Sequence, residues 1–396
     1  TSASPRSTLH TPVTNRLLQV PLLSLTVRER FATLSGMFLH NGQSGARGLA
    51  LKQTAAIARA TLVEAIQQPV AFLILLSAVM TTLLVPVFQF HRFGEDGRLA
   101  RDSGLACMLV FGLVLAAGTA GRTVSGEITR GTAAAALGKP VRRVTFLLAK
   151  ALGVLAVTML FWLGVLCATL LAERGSAHFI SHVEYTGYVT DVITLMLAMG
   201  GVAVALLVAA ARHYYGRRRF GVSAFAGVVL SQVLVVFVAG FYNRLGQFYP
   251  LHGEAACLDC GADHAHAAGW VFYHPELNLR VIPAAVLVLF ALAIFAALAT
   301  ALATRLPTGP TLAICAGVLL LGLVGDTLLI DAPFWSVRGL AAGLLPDLQN
   351  FWLCDAVARG GRIAWRYVGA AALYALTCCV LFLGAGCLAF RERDLG

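Results

Sequence analysis

Cysteine and histidine crowd into one short stretch of this chain. Cys257, Cys260, His264 and His266 fall within CLDCGADHAH as a C-x2-C-x3-H-x-H pattern. Thiolate and imidazole are suitable ligands for zinc or copper, and two of each complete a tetrahedral set. The gap between the two pairs is far shorter than in a zinc finger, so one ion on all four ligands requires a tight turn at Gly261. His252, Glu254 and His274 lie close enough in sequence to add ligands. A disulfide between Cys257 and Cys260 is the rival fate in an oxidising compartment. Both fates stay open on sequence.

The other stretch that invites chemistry is GTAAAALGKP, residues 131–140, because a glycine-rich loop ending in Gly-Lys can cradle phosphates. Three departures exclude it. Six residues instead of four separate Gly131 from Gly138, Pro140 follows Lys139 where a magnesium-binding Ser or Thr is required, and no buried strand precedes the loop. No other segment fits that pattern. The chain is therefore not expected to be an enzyme, and any energy from ATP must come through a partner.

These loops need a scaffold, and composition says what kind. The chain is 58% hydrophobic and 12% charged, against roughly 25% charged residues in a soluble domain. The apolar residues come in long blocks, and a run of roughly 18 or more is long enough to cross a bilayer as a helix. Eight such blocks are expected near 69–88, 104–121, 144–171, 190–211, 220–241, 281–304, 308–330 and 367–390. The sixth and seventh are joined only by Arg305-Leu-Pro-Thr-Gly-Pro310, which permits nothing but a tight hairpin. The fold class is all-α: a polytopic membrane helix bundle of about eight transmembrane helices.

Charge orients the bundle. The segments before the first block and after the even-numbered blocks carry a large excess of Lys and Arg over acids, whereas those after the odd-numbered blocks do not. By the positive-inside rule both termini are cytoplasmic, and a multi-pass membrane protein is expected. The net charge of +11 is then a topological signal. Nucleic-acid binding is not indicated, since no basic stripe with interleaved aromatics occurs.

Residues 1–48 read as an N-terminal cytoplasmic extension without the compact apolar core of a signal peptide. Residues 49–68 place Leu51, Ala55, Ala58, Leu62 and Ile66 on one helical face, an amphipathic pattern suited to an interfacial helix that turns into the bilayer at Pro69. The permease domain follows over 69–396, with a cytoplasmic loop at 122–143 and an external loop at 242–279. Cys107, Cys167, Cys315, Cys378, Cys379 and Cys387 sit in apolar blocks, where Cys packs as a small hydrophobe. Asp326 is the one acid well inside a block, near its outer end, and reads as a headgroup-level residue, with a place lining a polar pathway as the alternative. Gly112, Ala116, Ala117 and Gly118, and Gly200 with Gly201, form small-residue patches that allow close helix packing. A secondary transporter would show charge pairs within the spans or broken half-helices, and the blocks display neither.

The loop RTVSGEITRGTAAAALGKPVRRVTFLLAK, from Arg122 to Lys150, is short, charged and rich in helix formers. Glu127, Arg130, Lys139, Arg142 and Arg143 are charges suited to interface pairs, with Gly131 and Pro140 shaping the loop. The series Glu127, Gly131-Thr132, Leu137, Pro140, Arg143, set between a second and a third span, resembles the ABC-2 type permease family. LLPDLQNFWLCDAVARGG, Leu344 to Gly361, is similar to the terminus of its subgroup described as multi-copper enzyme maturation permeases.

That resemblance implies a coupling helix in this loop, docking on a separate cytoplasmic ABC ATPase that binds ATP and magnesium. Two permease copies would pair as a homodimer, with periplasmic or other membrane subunits as further partners and membrane lipid around them. It implies that Glu127, Arg130, Gly131, Thr132, Lys139, Pro140, Arg142 and Arg143 carry ATPase coupling. The family's usual six spans differ from the eight blocks here. The apolar interior suits a lipid-like or amphipathic cargo, or mechanical signalling to external partners. From another class, the chain would be a membrane-anchored metal or redox module built on the Cys and His loop.

Overall fold

A computed structural model describes residues 46–88, 97–130, 142–181, 186–217, 219–242, 244, 277–329, 345–353 and 363–391. Helix α1 (Ala46–Gln67) ends because Pro69 has no N–H to continue its ladder; Pro69 opens α2 (Pro69–Phe88) instead. Helix α3 (Arg98–Ala120) begins after Gly97, whose φ of +68° suits glycine. A π turn at Gly121–Ser125 leads from α3 into the single-turn α4 (Gly126–Thr129). Helix α5 (Arg143–Gly175) has 33 residues and so measures about 50 Å, well beyond the roughly 30 Å hydrocarbon core.

After α5 a short antiparallel hairpin pairs β1 (His178–Ser181) with β2 (Thr186–Val189). Helices α6 (Val192–Gly216) and α7 (Phe220–Val238) follow as a tight pair. Then come α8 (Val281–Leu302), α9 (Thr308–Leu329) and α10 (Trp365–Arg391).

Seven of these helices are long and apolar enough to cross a membrane. Helix α9 occupies the remaining expected block, and its side chains are described over the apolar stretch Thr308–Leu323. Asp326 lies past that stretch, so its side chain falls outside the described residues.

Contacts at the helix ends fix alternating directions. One end of the bundle gathers the end of α1, α4, the start of α5, the α6–α7 turn, the α8–α9 turn and the end of α10. The other gathers the start of α3, the end of α5, the start of α6 and the approach to α8. The described arginines of the expected cytoplasmic segments, from Arg122 to Arg391, fall at the first end.

Helices α8, α3 and α5 form the centre, with 78%, 72% and 67% of their most apolar stretches buried, whereas α10 lies outermost at 17%. Leu105, Met108, Val157, Phe161, Leu292 and Phe295 fill the core between them. Gly112 serves as the small-residue reading expects: a Cβ there would stand 2.7 Å from Leu292 Cδ1. Gly200, by contrast, faces open space. The six apolar-block cysteines are free thiols in helices, with Cys167 and Cys315 buried.

Of the expected apolar face of α1, Leu62 and Ile66 lie half-buried against the core. Thr61 and Ala65 are fully buried and Ala55 is exposed. Close approach explains this. A Cβ on Gly153 of α5 would meet Thr61 Cβ at 2.5 Å and the Ala58 carbonyl oxygen at 2.8 Å, so the contact selects small side chains over the largest apolar ones.

Candidate functional site

Lys150 stands about two turns into α5, seven positions past Arg143, and its side chain is only 5% exposed. A lysine removed from water must keep a partner or lose its charge. Its Nζ donates to Glu127 Oε1 at 2.6 Å and lies 3.8 Å from Glu64 Oε2. Three elements therefore meet at one ammonium: α1 through Glu64, α4 through Glu127 and α5 through Lys150. The π turn before α4 matters here. It takes up one extra residue, which turns everything after it by about 100° relative to an unbroken α-helix, and Glu127 emerges on the side of Lys150. Burial pushes the Glu64 carboxyl above its ordinary 4.5, opposed by the attraction of Lys150.

Beside this cluster, Arg143 and Arg305 hold the last helix. Arg143 Nη1 donates to the Arg391 carbonyl at 2.9 Å, and Arg305 Nη2 to the Ala389 carbonyl at 2.7 Å. Cations at the negative end of a helix dipole are favourable, and Phe146 stacks on Phe390 with centroids 6.1 Å apart. Arg143 is thus committed to α10, while Arg130 and Arg142, at the two ends of the loop, are exposed. Gly131, Thr132, Lys139 and Pro140 lie outside the described residues, as do Cys257, Cys260, His264 and His266.

At the opposite end α5 finishes on Glu173 and Arg174. The Arg174 and Asp191 side chains are both 0% exposed, with Nε donating to Asp191 Oδ2 at 2.9 Å. Arg174 also donates to the carbonyls of Ala239 and Tyr242 and stacks over the Tyr242 ring at 4.8 Å. Asp191 caps α6, accepting from the Thr194 N–H at 2.8 Å and from the Thr194 hydroxyl. Because that hydroxyl spends its proton on Asp191, Tyr242 donates to it, 2.9 Å away. Glu173 turns the other way, accepting from Asn278 at 2.7 Å with Arg101 Nη1 at 3.7 Å. A cation at the end of α5 facing an anion at the start of α6 matches both helix dipoles.

The sequence reading missed these pairs. It took Lys150 as the end of a loop, closed the third block at 171, and expected the blocks to hold no ion pairs. A lysine inside an apolar run and an adjoining Glu-Arg at its close were the available signals. Among the described residues of these two clusters, no nucleophile and base are poised on one another. The arrangement offers mechanical linkage: two ionic joints near the ends of one long rod, the one at Arg174 fully sealed and the one at Lys150 open to water on its acid side.

The description ABC-2 family transporter protein matches residues 22–253, more than half of the chain. This chain belongs to the ABC-2 transporter family. The match takes in α1 to α7, and with them both ionic joints of this ABC-2 transporter. Helices α8 to α10 and the 344–361 segment that resembles the copper-enzyme maturation subgroup lie beyond it. No curated protein and no solved structure matches the chain.

Proposed function

We propose that this chain is the permease subunit of an ABC transporter, powered by a separate cytoplasmic ATPase that docks on residues 122–143. Two copies of the chain and two ATPases make the working unit, and ATP with magnesium binds only the partner. The observation that carries this reading is the 2.6 Å contact between Glu127 and Lys150. It fastens the start of the docking segment to a helix about 50 Å long, so a push on the loop is delivered to α5. Exposed Arg130 and Arg142 supply charges for an acidic groove on the ATPase. Glu64 brings α1 into the same joint. Between the two joints α5 is apolar, which favours a lipid-like or amphipathic cargo over a small ion.

The test is purification of the tagged chain from its native membrane with assay of ATP hydrolysis. A soluble protein with a Walker A motif is expected to accompany it. Charge reversal at Arg130 and Arg142 together is expected to release that protein. Lys150→Met is expected to keep it bound but break the link between hydrolysis and transport. If the chain arrives alone and Lys150→Met changes nothing, the proposal fails.

A further inference from the structure

Helices α6 and α7 leave between them an apolar groove of ≈ 1020 Å³ on the outside of the bundle. Gly200 and Val204 line one side and Ala226 and Leu230 the other. Nothing stands within 4 Å of a Cβ built on Gly200, so the groove is open there. Its polar end is marked by Arg212, which is exposed, and Arg219, which donates to Gln67.

We propose that this groove binds one anionic phospholipid of the cytoplasmic leaflet, with its phosphate between Arg212 and Arg219 and an acyl chain along the Gly200 side. Three features commit it to that occupant. The first is charge: both arginines stand at the end of the bundle that gathers the cytoplasmic basic segments, where anionic headgroups are attracted at about 1 kcal/mol per arginine. That corresponds to roughly fivefold in affinity for each.

The second is length. From Arg212 to Met196 the groove runs about 24 Å along α6, more than the roughly 15 Å of a single leaflet's hydrocarbon, so it holds the full leaflet depth of one acyl chain. The third is the rim. Tyr214 and Tyr215, 80% and 84% exposed and packed edge to face at 5.0 Å, stand beside the arginines as headgroup-level aromatics. A free phosphate would use the arginines but leave the groove empty, and a second copy of this chain would use the groove but not the charges.

The test uses the full chain, delipidated in neutral detergent, with phosphatidylglycerol or phosphatidylcholine added and bound lipid counted by native mass spectrometry. Phosphatidylglycerol is expected to bind one per chain with a preference of roughly thirtyfold. Arg212→Gln with Arg219→Gln is expected to bring the two lipids to near parity, and Arg212→Gln alone, which leaves the Gln67 contact intact, to lose part of the preference. Gly200→Leu, placed where there is open space, is expected to expel both lipids from the groove while the chain stays folded. Equal binding of the two lipids by the unaltered chain overturns the proposal. So does disulfide-linked dimer formation by Val204→Cys in native membranes, which would assign the groove to a second copy. Neither result bears on whether an ATPase docks at residues 122–143.

Discussion

Lys150 and Arg174 are borne by the same unbroken helix, about 36 Å apart along its axis, and each is sealed from water against an acid that another element supplies. The separation brackets the roughly 30 Å hydrocarbon core. Both charges therefore fall at the boundaries of the core, where an ion pair is tolerable, and residues 151–172 between them carry no charge.

Loss of the lower joint has a definite signature. Lys150→Met strands Glu127 and Glu64 without their cation, and because water still reaches both acids, 23% and 40% exposed, the loss should be that of a charged hydrogen bond, about 1.5 to 3 kcal/mol. Thermal unfolding in detergent should show the loss. Adding Glu127→Gln should recover part of it, because the stranded charge is then gone. A double variant no more stable than Lys150→Met would show that the two residues are not coupled.

The upper joint is expected to be less forgiving. Arg174→Gln leaves Asp191 buried and abandons two carbonyls, at a cost of about 3 to 5 kcal/mol. Arg174→Lys should fail to rescue it, since one ammonium cannot reach Asp191, Ala239 and Tyr242 as the planar fork does. Yield of folded protein after gel filtration reads this directly.

Acidity should act through Glu64. Its carboxyl titrates above 4.5 when folded because burial disfavours the charge. The folded state therefore holds more protons than the unfolded state just above pH 4.5, and its contribution to stability falls as pH rises through the raised value. Glu64→Gln, which imitates the protonated side chain, should flatten that part of the stability profile. An unchanged slope in the variant would assign the pH response elsewhere.

Packing gives a contrast between two glycines. Gly112→Leu drives a side chain into Leu292 and should cost about 1 to 3 kcal/mol. Gly200→Ala meets nothing and should be near neutral in the same unfolding assay.

Legibility in sequence followed the kind of force involved. The first expected block, 69–88, coincides with α2, and 281–304 with α8, because apolar length and prolines report directly on bilayer crossing. Helix α5 overran its block because intrahelical hydrogen bonds continue past the membrane boundary, carrying Glu173 and Arg174 inside the helix. The pairing of Arg174 with Asp191 is a matter of two chain reversals meeting in space, which no periodicity encodes. The burial of Thr61 on α1 was out of reach for a related reason: Gly153 on a distant helix decides it. Of the expected coupling residues that are described, Glu127 pairs with Lys150 and Arg143 donates to the last carbonyls of α10, contacts between elements distant in sequence that no local pattern reports.

The two joints also differ in when their parts are made. Both acids of Lys150 precede it in the chain, so the ammonium emerges from the ribosome to partners already present. Arg174 has no such welcome. Asp191, and the carbonyls of Ala239 and Tyr242, are synthesised after it, so its guanidinium must wait at the far surface while α6 and α7 are still being threaded. The far end of α5 already has one earlier-made partner, Arg101 against Glu173, and completion of the α6–α7 pair adds the seal on Arg174.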